Sequence, residues 1–67
     1  MDQTNAGDEL LIAQLPTVYA VALRLRAAGA SEAAIAEALG TAADAVPALL
    51  DVGRRKLDEL RRSRDEP

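Results

Sequence analysis

Six of the eight basic side chains in this 67-residue chain lie close to its C-terminus. They are Arg54, Arg55, Lys56, Arg61, Arg62 and Arg64. Arginine and lysine form charge-assisted hydrogen bonds with phosphate, so a cluster of this kind is typical of a surface that contacts a nucleic-acid backbone. The consecutive residues Arg54, Arg55 and Lys56 are therefore predicted to contact DNA phosphate. Such contacts supply affinity but carry no information about base sequence.

An ordinary solvated helix end would carry the same cluster. Cations near a helix C-terminus are favoured by the helix dipole, and Arg54 with Asp58 or Arg55 with Glu59 can form ion pairs four residues apart. The formal net charge of the whole chain is −3, because 11 acidic residues outnumber the basic ones. Since a dedicated DNA-binding domain is commonly basic, this balance argues mildly against nucleic acid.

The sequence contains few residues of the types that form catalytic or metal sites. The chain contains no cysteine and no histidine, which excludes disulfides, thiolate metal ligands and imidazole catalysis. The single aromatic residue, Tyr19, is expected at the edge of the core. The carboxylates form no recognisable pair and are expected on solvated faces and at helix caps. We therefore expect no enzymatic activity, no cofactor, no metal ion and no small-molecule ligand.

Hydrophobic residues recur at helical spacing, and no segment alternates as a strand does. The first predicted helix starts between Asn5 and Asp8 and ends before Pro16. Pro16 fits the first position of a second helix, where its missing N–H costs nothing. Gly29 is expected to close that helix in a left-handed conformation. The apolar stripe of the second helix is predicted to contain Leu15, Val18, Tyr19, Ala22, Leu25 and Ala28.

The third and fourth helices are joined by a short connection. Ser31 is expected to cap the third helix and Gly40 to close it. Asp44 is the predicted N-cap of the fourth helix, which then starts at Ala45 and holds Pro47 in its first turn, where proline is tolerated. A stripe on this helix is predicted to face the core. Its members are Val46, Leu50, Gly53, Leu57 and Leu60.

One small domain, residues 8–62, is predicted between disordered tails at residues 1–7 and 63–67. A chain this short buries only about 60% of the surface that its unfolded form exposes, so its core is marginal. Burial against an additional subunit would increase its stability. It has no apolar run of the ~20 residues that span a membrane and no secretory signal, so we expect a cytoplasmic protein. The expected core contains Leu15, Tyr19, Leu25, Ile35, Leu39, Val46, Leu50 and Leu57.

Residues 15–57 resemble the tetrahelical helix-turn-helix of the LuxR/GerE type and the related region 4 of bacterial sigma factors. Most of the matching residues are core and cap residues: Ala22-Leu23-Arg24-Leu25, Ala27, Gly29, Ser31, Ile35-Ala36-Glu37, Leu39-Gly40, Val46, Leu50 and Lys56-Leu57. The resemblance implies a small all-α, four-helix fold without a wing. It also implies a bacterial transcription regulator that binds DNA as a homodimer, with the helix after the turn in the major groove.

The chain departs from this family where the second helix of the motif would read bases. Family members carry Lys, Arg, Asn or Ser at the exposed positions, whereas this chain reads Ala45-Val46-Pro47-Ala48, then Leu49, Leu50 and Asp51. Pro47 and Ala48 donate no side-chain hydrogen bond. Asp51 can accept from a cytosine amino group, but it would also face phosphates of its own sign. The predicted function is therefore transcription regulation with weak or non-specific DNA binding through the basic helix end.

A protein-binding role is the alternative function. Four apolar side chains beside the core stripe would form an exposed strip, which usually marks an interface. They are Ala45, Ala48, Leu49 and Val52. The first helix could instead cover this strip. If the strip is an interface, the chain is a degenerate helix-turn-helix that holds a sigma factor, a regulator or a second copy of itself. The operator, the partner, the oligomeric state and the regulated pathway do not follow from the sequence.

Overall fold

The computed structural model describes the backbone of residues 5–65 and the side-chain environments of residues 9–63. Within that part of the chain, four α-helices and one 3₁₀ turn, and no strand, are present. In chain order they are α1 (Asn5–Ile12), α2 (Thr17–Ala27), α3 (Glu32–Leu39), the 3₁₀ turn (Ala43–Ala45) and α4 (Val46–Asp65). The predicted small all-α fold of four helices is confirmed.

Pro16 separates α1 from α2. Its carbonyl accepts hydrogen bonds from the backbone N–H groups of Tyr19 at 3.0 Å and Ala20 at 3.1 Å. Pro16 therefore occupies the capping position just before α2, one residue outside the first helical position that the sequence predicts. The reason is that the helix start uses the proline carbonyl as its first acceptor.

Both ends of α3 follow the local sequence signals. The hydroxyl of Ser31 accepts a hydrogen bond from a backbone N–H at 3.1 Å, so Ser31 caps the helix as predicted. At the other end Gly40 adopts a φ of +69°, and the Thr41 N–H donates to the Ala36 carbonyl at 3.0 Å. Gly29 after α2 has a φ of +91°. Both left-handed glycines are confirmed, and each ends a helix.

The start of α4 differs from the prediction. The α-helix begins at Val46 instead of Ala45, and Asp44 lies inside the 3₁₀ turn, where it makes no capping hydrogen bond. The Ala45 N–H donates to the Ala42 carbonyl at 3.0 Å. An Asp44 cap would bind the N–H of Val46 or of the next residue. The Val46 N–H donates to the Ala43 carbonyl and Pro47 has no N–H, so no donor remains for an Asp44 cap. Pro47 is the second helical residue, within the first turn as expected.

The helices extend into both predicted tails. α1 includes residues 5–7, and α4 continues through residues 63–65. The end of α4 is rich in arginine, which is a good helix former, and no glycine or proline precedes Pro67 to stop the helix. Residues 1–4 and 66–67 of the predicted tails lie outside the described residues.

The core lies where α2, α3 and α4 meet, with α1 packed along one side. Most of the expected core residues are buried: Leu15, Ile35, Val46, Leu50 and Leu57. The other three, Tyr19, Leu25 and Leu39, are partly buried against that cluster. The predicted stripe on α4 is confirmed, because Gly53 is also buried and Leu60 packs against the core.

The predicted stripe on α2 is confirmed in part. Leu15 and Ala22 are buried, and Tyr19 and Leu25 pack against the core. The other two members differ from the prediction, because Val18 is 36% exposed and Ala28 is exposed.

Two residues of α2 outside the predicted stripe, Ala20 and Leu23, are also buried. A Cβ atom built on Gly53 of α4 would lie 3.4 Å from the Leu23 Cγ. Because Gly53 has no side chain, α2 approaches α4 closely at this point. That approach places Leu23 on the buried face of α2.

The connection between α3 and α4 turns the chain through a large angle. The two helices are bent by 102° relative to each other, across residues 40–42 and the 3₁₀ turn. This angle leaves one face of the N-terminal half of α4 exposed. Its exposed side chains, together with one in the preceding turn, are Asp44, Pro47, Ala48 and Asp51.

Within the described residues, no single helix is both long and apolar enough to cross a membrane. The same part of the chain brings together no group of three side chains of the types that hold metal ions.

Candidate functional site

The exposed N-terminal face of α4 offers no side-chain donor to a DNA base. Pro47 and Ala48 have no polar side-chain atom. The carboxylates of Asp44 and Asp51 only accept hydrogen bonds when ionised, and they carry the same sign as phosphate. The surface that the family resemblance would place against the bases is therefore apolar and acidic.

The three predicted phosphate contacts do not share one surface. Successive residues on an α-helix point about 100° apart, so Arg54 and Lys56 lie on opposite flanks of α4. The Lys56 Nζ lies 5.7 Å from the centroid of the Tyr19 ring, which is a cation–π distance. Arg54 and Arg55 instead line an open groove on the other flank. The structure thus brings together two of the three residues.

This groove, which we call the arginine groove, has a volume of about 600 Å³ and lies between the C-terminal ends of α1 and α2 and the middle of α4. Its apolar lining consists of Ile12, Leu23, Ala27 and Leu57. Its charged side chains are Arg26, Arg54, Arg55, Arg61, Asp51 and Asp58. Four arginines against two aspartates give the groove a formal net charge of +2, on a chain whose net charge is −3.

A second hollow, of about 410 Å³, extends the arginine groove toward the start of α4. The two share Arg26, Asp51 and Arg54, and the extension adds Glu32 and Pro47 among others. Together they follow α4 from Pro47 to Arg61, a length of about 21 Å at 1.5 Å per residue. The combined surface is a long open trough.

Two arginines of the groove are unpaired among the described residues. No hydrogen bond or ion pair within that part of the chain engages Arg54 or Arg55. The pairs expected from sequence spacing, with Asp58 and Glu59, do not form. Both guanidinium groups can therefore meet an anionic ligand without breaking an ion pair within the described chain.

The other two arginines of the groove have local contacts. The Arg26 Nη1 donates to the Ala30 carbonyl at 3.4 Å, which is long for a hydrogen bond. The Arg61 Nη1 lies 3.7 Å from the Asp58 Oδ1, in an ion pair three residues apart on α4. Asp58 thus pairs one turn toward the C-terminus, instead of with the arginine that the sequence suggested.

The predicted apolar strip beside the core stripe is only partly exposed. Ala48 is exposed, whereas Ala45, Leu49 and Val52 are partly buried within the monomer. The expected cover, α1, meets α4 farther along, because Leu11 lines a small hollow with Leu60. That point lies about 16 Å beyond Leu49 along the helix. The strip therefore presents less apolar surface than the sequence suggested.

The most exposed large apolar side chain among residues 9–63 belongs to α1. Leu10 is 69% exposed. Beside it in sequence, the Glu9 carboxylate accepts a hydrogen bond from the Arg24 Nε and joins α1 to α2. Both partners of this ion pair are roughly half exposed, so it contributes little to stability.

Sequence reasoning missed Arg26 and Arg61 as neighbours of Arg54. Arg26 lies in the last turn of α2 and reaches the groove because α2 packs along α4. Arg61 lies two turns beyond Arg54, on the same flank. The spacing of seven residues between Arg54 and Arg61 was a usable signal, but Arg26 required the packing of the helices.

Comparison of the chain with models of known protein families, with characterised proteins and with solved structures found no match. The chain therefore resembles the LuxR/GerE-type family only in the residues quoted above.

Proposed function

We propose that this chain is a helix-turn-helix module of bacterial transcription control that acts through a protein partner and does not read DNA sequence. The helix-turn-helix would consist of α3 and α4. Their bend of 102° fits the ~90–120° angle typical of this motif, and the six residues that join them include the 3₁₀ turn. The resemblance across residues 15–57 supports the same assignment.

The exposed side chains of α4 favour a protein over a DNA sequence as the ligand of this helix. Specific DNA readers discriminate bases through bidentate side-chain donors worth ~1–3 kcal/mol each. Pro47 and Ala48 can make no such contact, and Asp51 can only accept a hydrogen bond, as from a cytosine amino group. The flank of the same helix instead presents a trough that combines apolar lining with arginine side chains. Arginine and apolar side chains together are the composition of protein–protein interface centres.

Phosphate contact with DNA is a second candidate function. The unpaired guanidinium groups of Arg54 and Arg55 favour it, because each could neutralise a phosphate. Asp51 and Asp58 lie in the same groove and oppose it. Binding of this kind would be weak and salt-sensitive, with a dissociation constant of about 10⁻⁴ to 10⁻⁶ M at physiological salt, and would be nearly independent of sequence.

Site-specific photo-crosslinking in the native host tests the proposed function. A photoreactive residue at Ala48 probes the face that would meet DNA bases, and one at Ala27 probes the arginine groove. Both positions are exposed, so the fold should tolerate the replacement. We expect a discrete protein adduct from position 27 and no DNA adduct from position 48. Recovery of one recurrent DNA sequence from position 48 would overturn the proposal in favour of operator reading.

A further inference from the structure

We infer that the arginine groove binds an acidic amphipathic α-helix of a protein partner. This inference rests on the proposed function and adds the chemistry of the partner to it. The groove carries a formal net charge of +2 on an acidic chain, and four of the ten side chains that line it are apolar. A ligand that complements both features carries carboxylates beside an apolar stripe. An amphipathic helix that lies in a groove is a common way to present that combination.

The shape of the trough favours a helix over a small molecule. Small-molecule sites are usually concave pockets that bury most of the ligand. This trough is open along its side and about 21 Å long, which matches a helix of about 14 residues. The accessible apolar surface of its lining offers nothing to the sugar-phosphate backbone of DNA. The partly buried Ile12 and the exposed Ala27 can instead pack against the apolar stripe of a helix.

The positions of the arginines predict where the partner carries its carboxylates. Arg54 and Arg61 are seven residues apart on α4, which corresponds to about 10.5 Å along its axis. Two carboxylates seven residues apart on a helix parallel or antiparallel to α4 have the same separation. Arg26 comes from α2, on the other wall, and can meet a carboxylate on the opposite edge of the partner helix. The partner is therefore expected to be acidic on both edges of its apolar stripe.

Three of the four arginines, Arg26, Arg54 and Arg55, can bind carboxylates at small cost to the free protein, whereas Arg61 is already ion-paired with Asp58. Arg54 and Arg55 have no partner among the described residues, and the bond from Arg26 to the Ala30 carbonyl is long. Guanidinium groups bind carboxylates in a bidentate geometry, which adds orientation to attraction. The charged pairs therefore fix the position of the partner helix along the trough, and the apolar lining contacts the apolar side chains of that helix.

The test uses the full chain and a synthetic helical probe peptide. The probe has about 16 residues, leucines at positions i, i+4, i+7 and i+11, and glutamates flanking them. The control peptide has the same leucines with every glutamate replaced by lysine. Fluorescence anisotropy at physiological salt measures binding. We expect the acidic probe to bind about ten-fold tighter or more than the lysine control. Equal binding of both peptides, or binding of neither, would overturn the inference.

Matched double variants locate the binding site. Arg26→Ala with Arg54→Ala removes two cations from the groove. Lys56→Ala with Arg62→Ala removes the same charge outside it. We expect the first variant to weaken probe binding by about ten-fold or more and the second by less than about two-fold. Equal losses in both variants would mean that overall charge, and not the groove, attracts the probe, which would contradict the inference.

Filling the groove tests the contribution of its apolar lining. Ala27 is an exposed residue at the end of α2, so Ala27→Trp should preserve the helical circular dichroism while it occupies the trough. Loss of probe binding with an unchanged spectrum supports the inference, and unchanged binding contradicts it. Duplex DNA of mixed sequence is the competitor. If the duplex displaces the probe at comparable concentration, the groove is a phosphate site and the helix assignment is wrong.

The outcomes separate this inference from the proposed function. If the probe fails to bind while the photoreactive residue at position 27 still yields a protein adduct, the partner chemistry is wrong and the protein-binding function stands. A recurrent DNA adduct from position 48 removes the proposed function, whatever the probe does.

Discussion

The two flanks of α4 use their cations differently. On one flank Lys56 lies over the Tyr19 ring, on the same side of the helix as the partly buried Leu49 and Val52, so its charge is engaged within the monomer. On the other flank Arg54 lines the arginine groove and has no partner among the described residues. One run of three basic residues therefore contains a cation that supports the fold and cations that a ligand can reach.

This difference shows why a run of charges is a poor guide to a charged surface. Consecutive helical residues diverge by about 100°, so neighbours in sequence are distributed around the helix. Which of them is covered depends on the helices packed alongside. Here the approach of α2 at Gly53 places Tyr19 beside Lys56, because the Tyr19 Cβ lies only 3.5 Å from the position of a Cβ on Gly53.

The largest expected effect comes from the core that supports both flanks. Leu50 is 4% exposed, so Leu50→Ala should cost about 2–5 kcal/mol through lost burial and a residual cavity. For a domain this small, that loss should abolish folding and both flanks together. Leu10→Ala is the matched control, because Leu10 is 69% exposed and should change stability little. Equal denaturation midpoints for the two variants would refute the core assignment.

The second-largest expected effect concerns the predicted partner interface, which lies on the Lys56 flank of α4. The sequence predicts self-association or partner binding through Ala45, Ala48, Leu49 and Val52. Leu49 and Val52 are partly buried, so we expect the double variant Leu49→Glu, Val52→Glu to lose about 1–3 kcal/mol of stability without a change in sedimentation. A shift from dimer to monomer at unchanged stability would instead assign the interface to this flank.

The salt dependence of DNA binding distinguishes the cations on the two flanks of α4. We expect weak binding to mixed-sequence duplex, and Arg54→Ala with Arg55→Ala should reduce the slope of log K against log salt by about 2. Lys56→Ala should leave the slope nearly unchanged, because that side chain lies over Tyr19. The measurement is anisotropy across a salt series. Nanomolar binding to a single operator, retained against competitor DNA, would contradict the expected weak mode.

The smallest expected effect concerns Lys56, the cation that contacts the Tyr19 ring. Lys56→Ala removes the contact with Tyr19 and should cost about 0.5–1 kcal/mol. Arg55→Ala should produce no measurable loss, because Arg55 is exposed and unpaired among the described residues. Urea denaturation of both variants checks this difference. If Arg55→Ala were the more destabilising change, the assignment of the two cations would be reversed.

Local signals predicted the end of α2 and both ends of α3. The Ser31 cap, the left-handed Gly29 and Gly40, and the early position of Pro47 all follow from backbone chemistry within a few residues. The core stripe of α4 also follows, because the spacing of its apolar residues is unambiguous. These features need no knowledge of which helices are neighbours.

Features that depend on neighbouring helices were not predictable in the same way. The burial of Leu23 depends on the close approach of α2 to α4 at Gly53, which the spacing of apolar residues within α2 does not show. The arginine groove requires Arg26 of α2 and Arg54 of α4 to lie on one surface. Sequence spacing within one helix carries no information about such a meeting.

Amide chemical-shift mapping of the isotope-labelled full chain tests most directly whether the groove flank of α4, and not its N-terminal face, is the binding surface. We expect the acidic helical probe to shift the amides of Ala27, Arg54 and Arg61, and mixed-sequence duplex to leave those of Asp44 and Ala48 in place. Saturable duplex-induced shifts at Asp44 and Ala48, with none in the groove from the probe, would contradict this assignment of the binding surface.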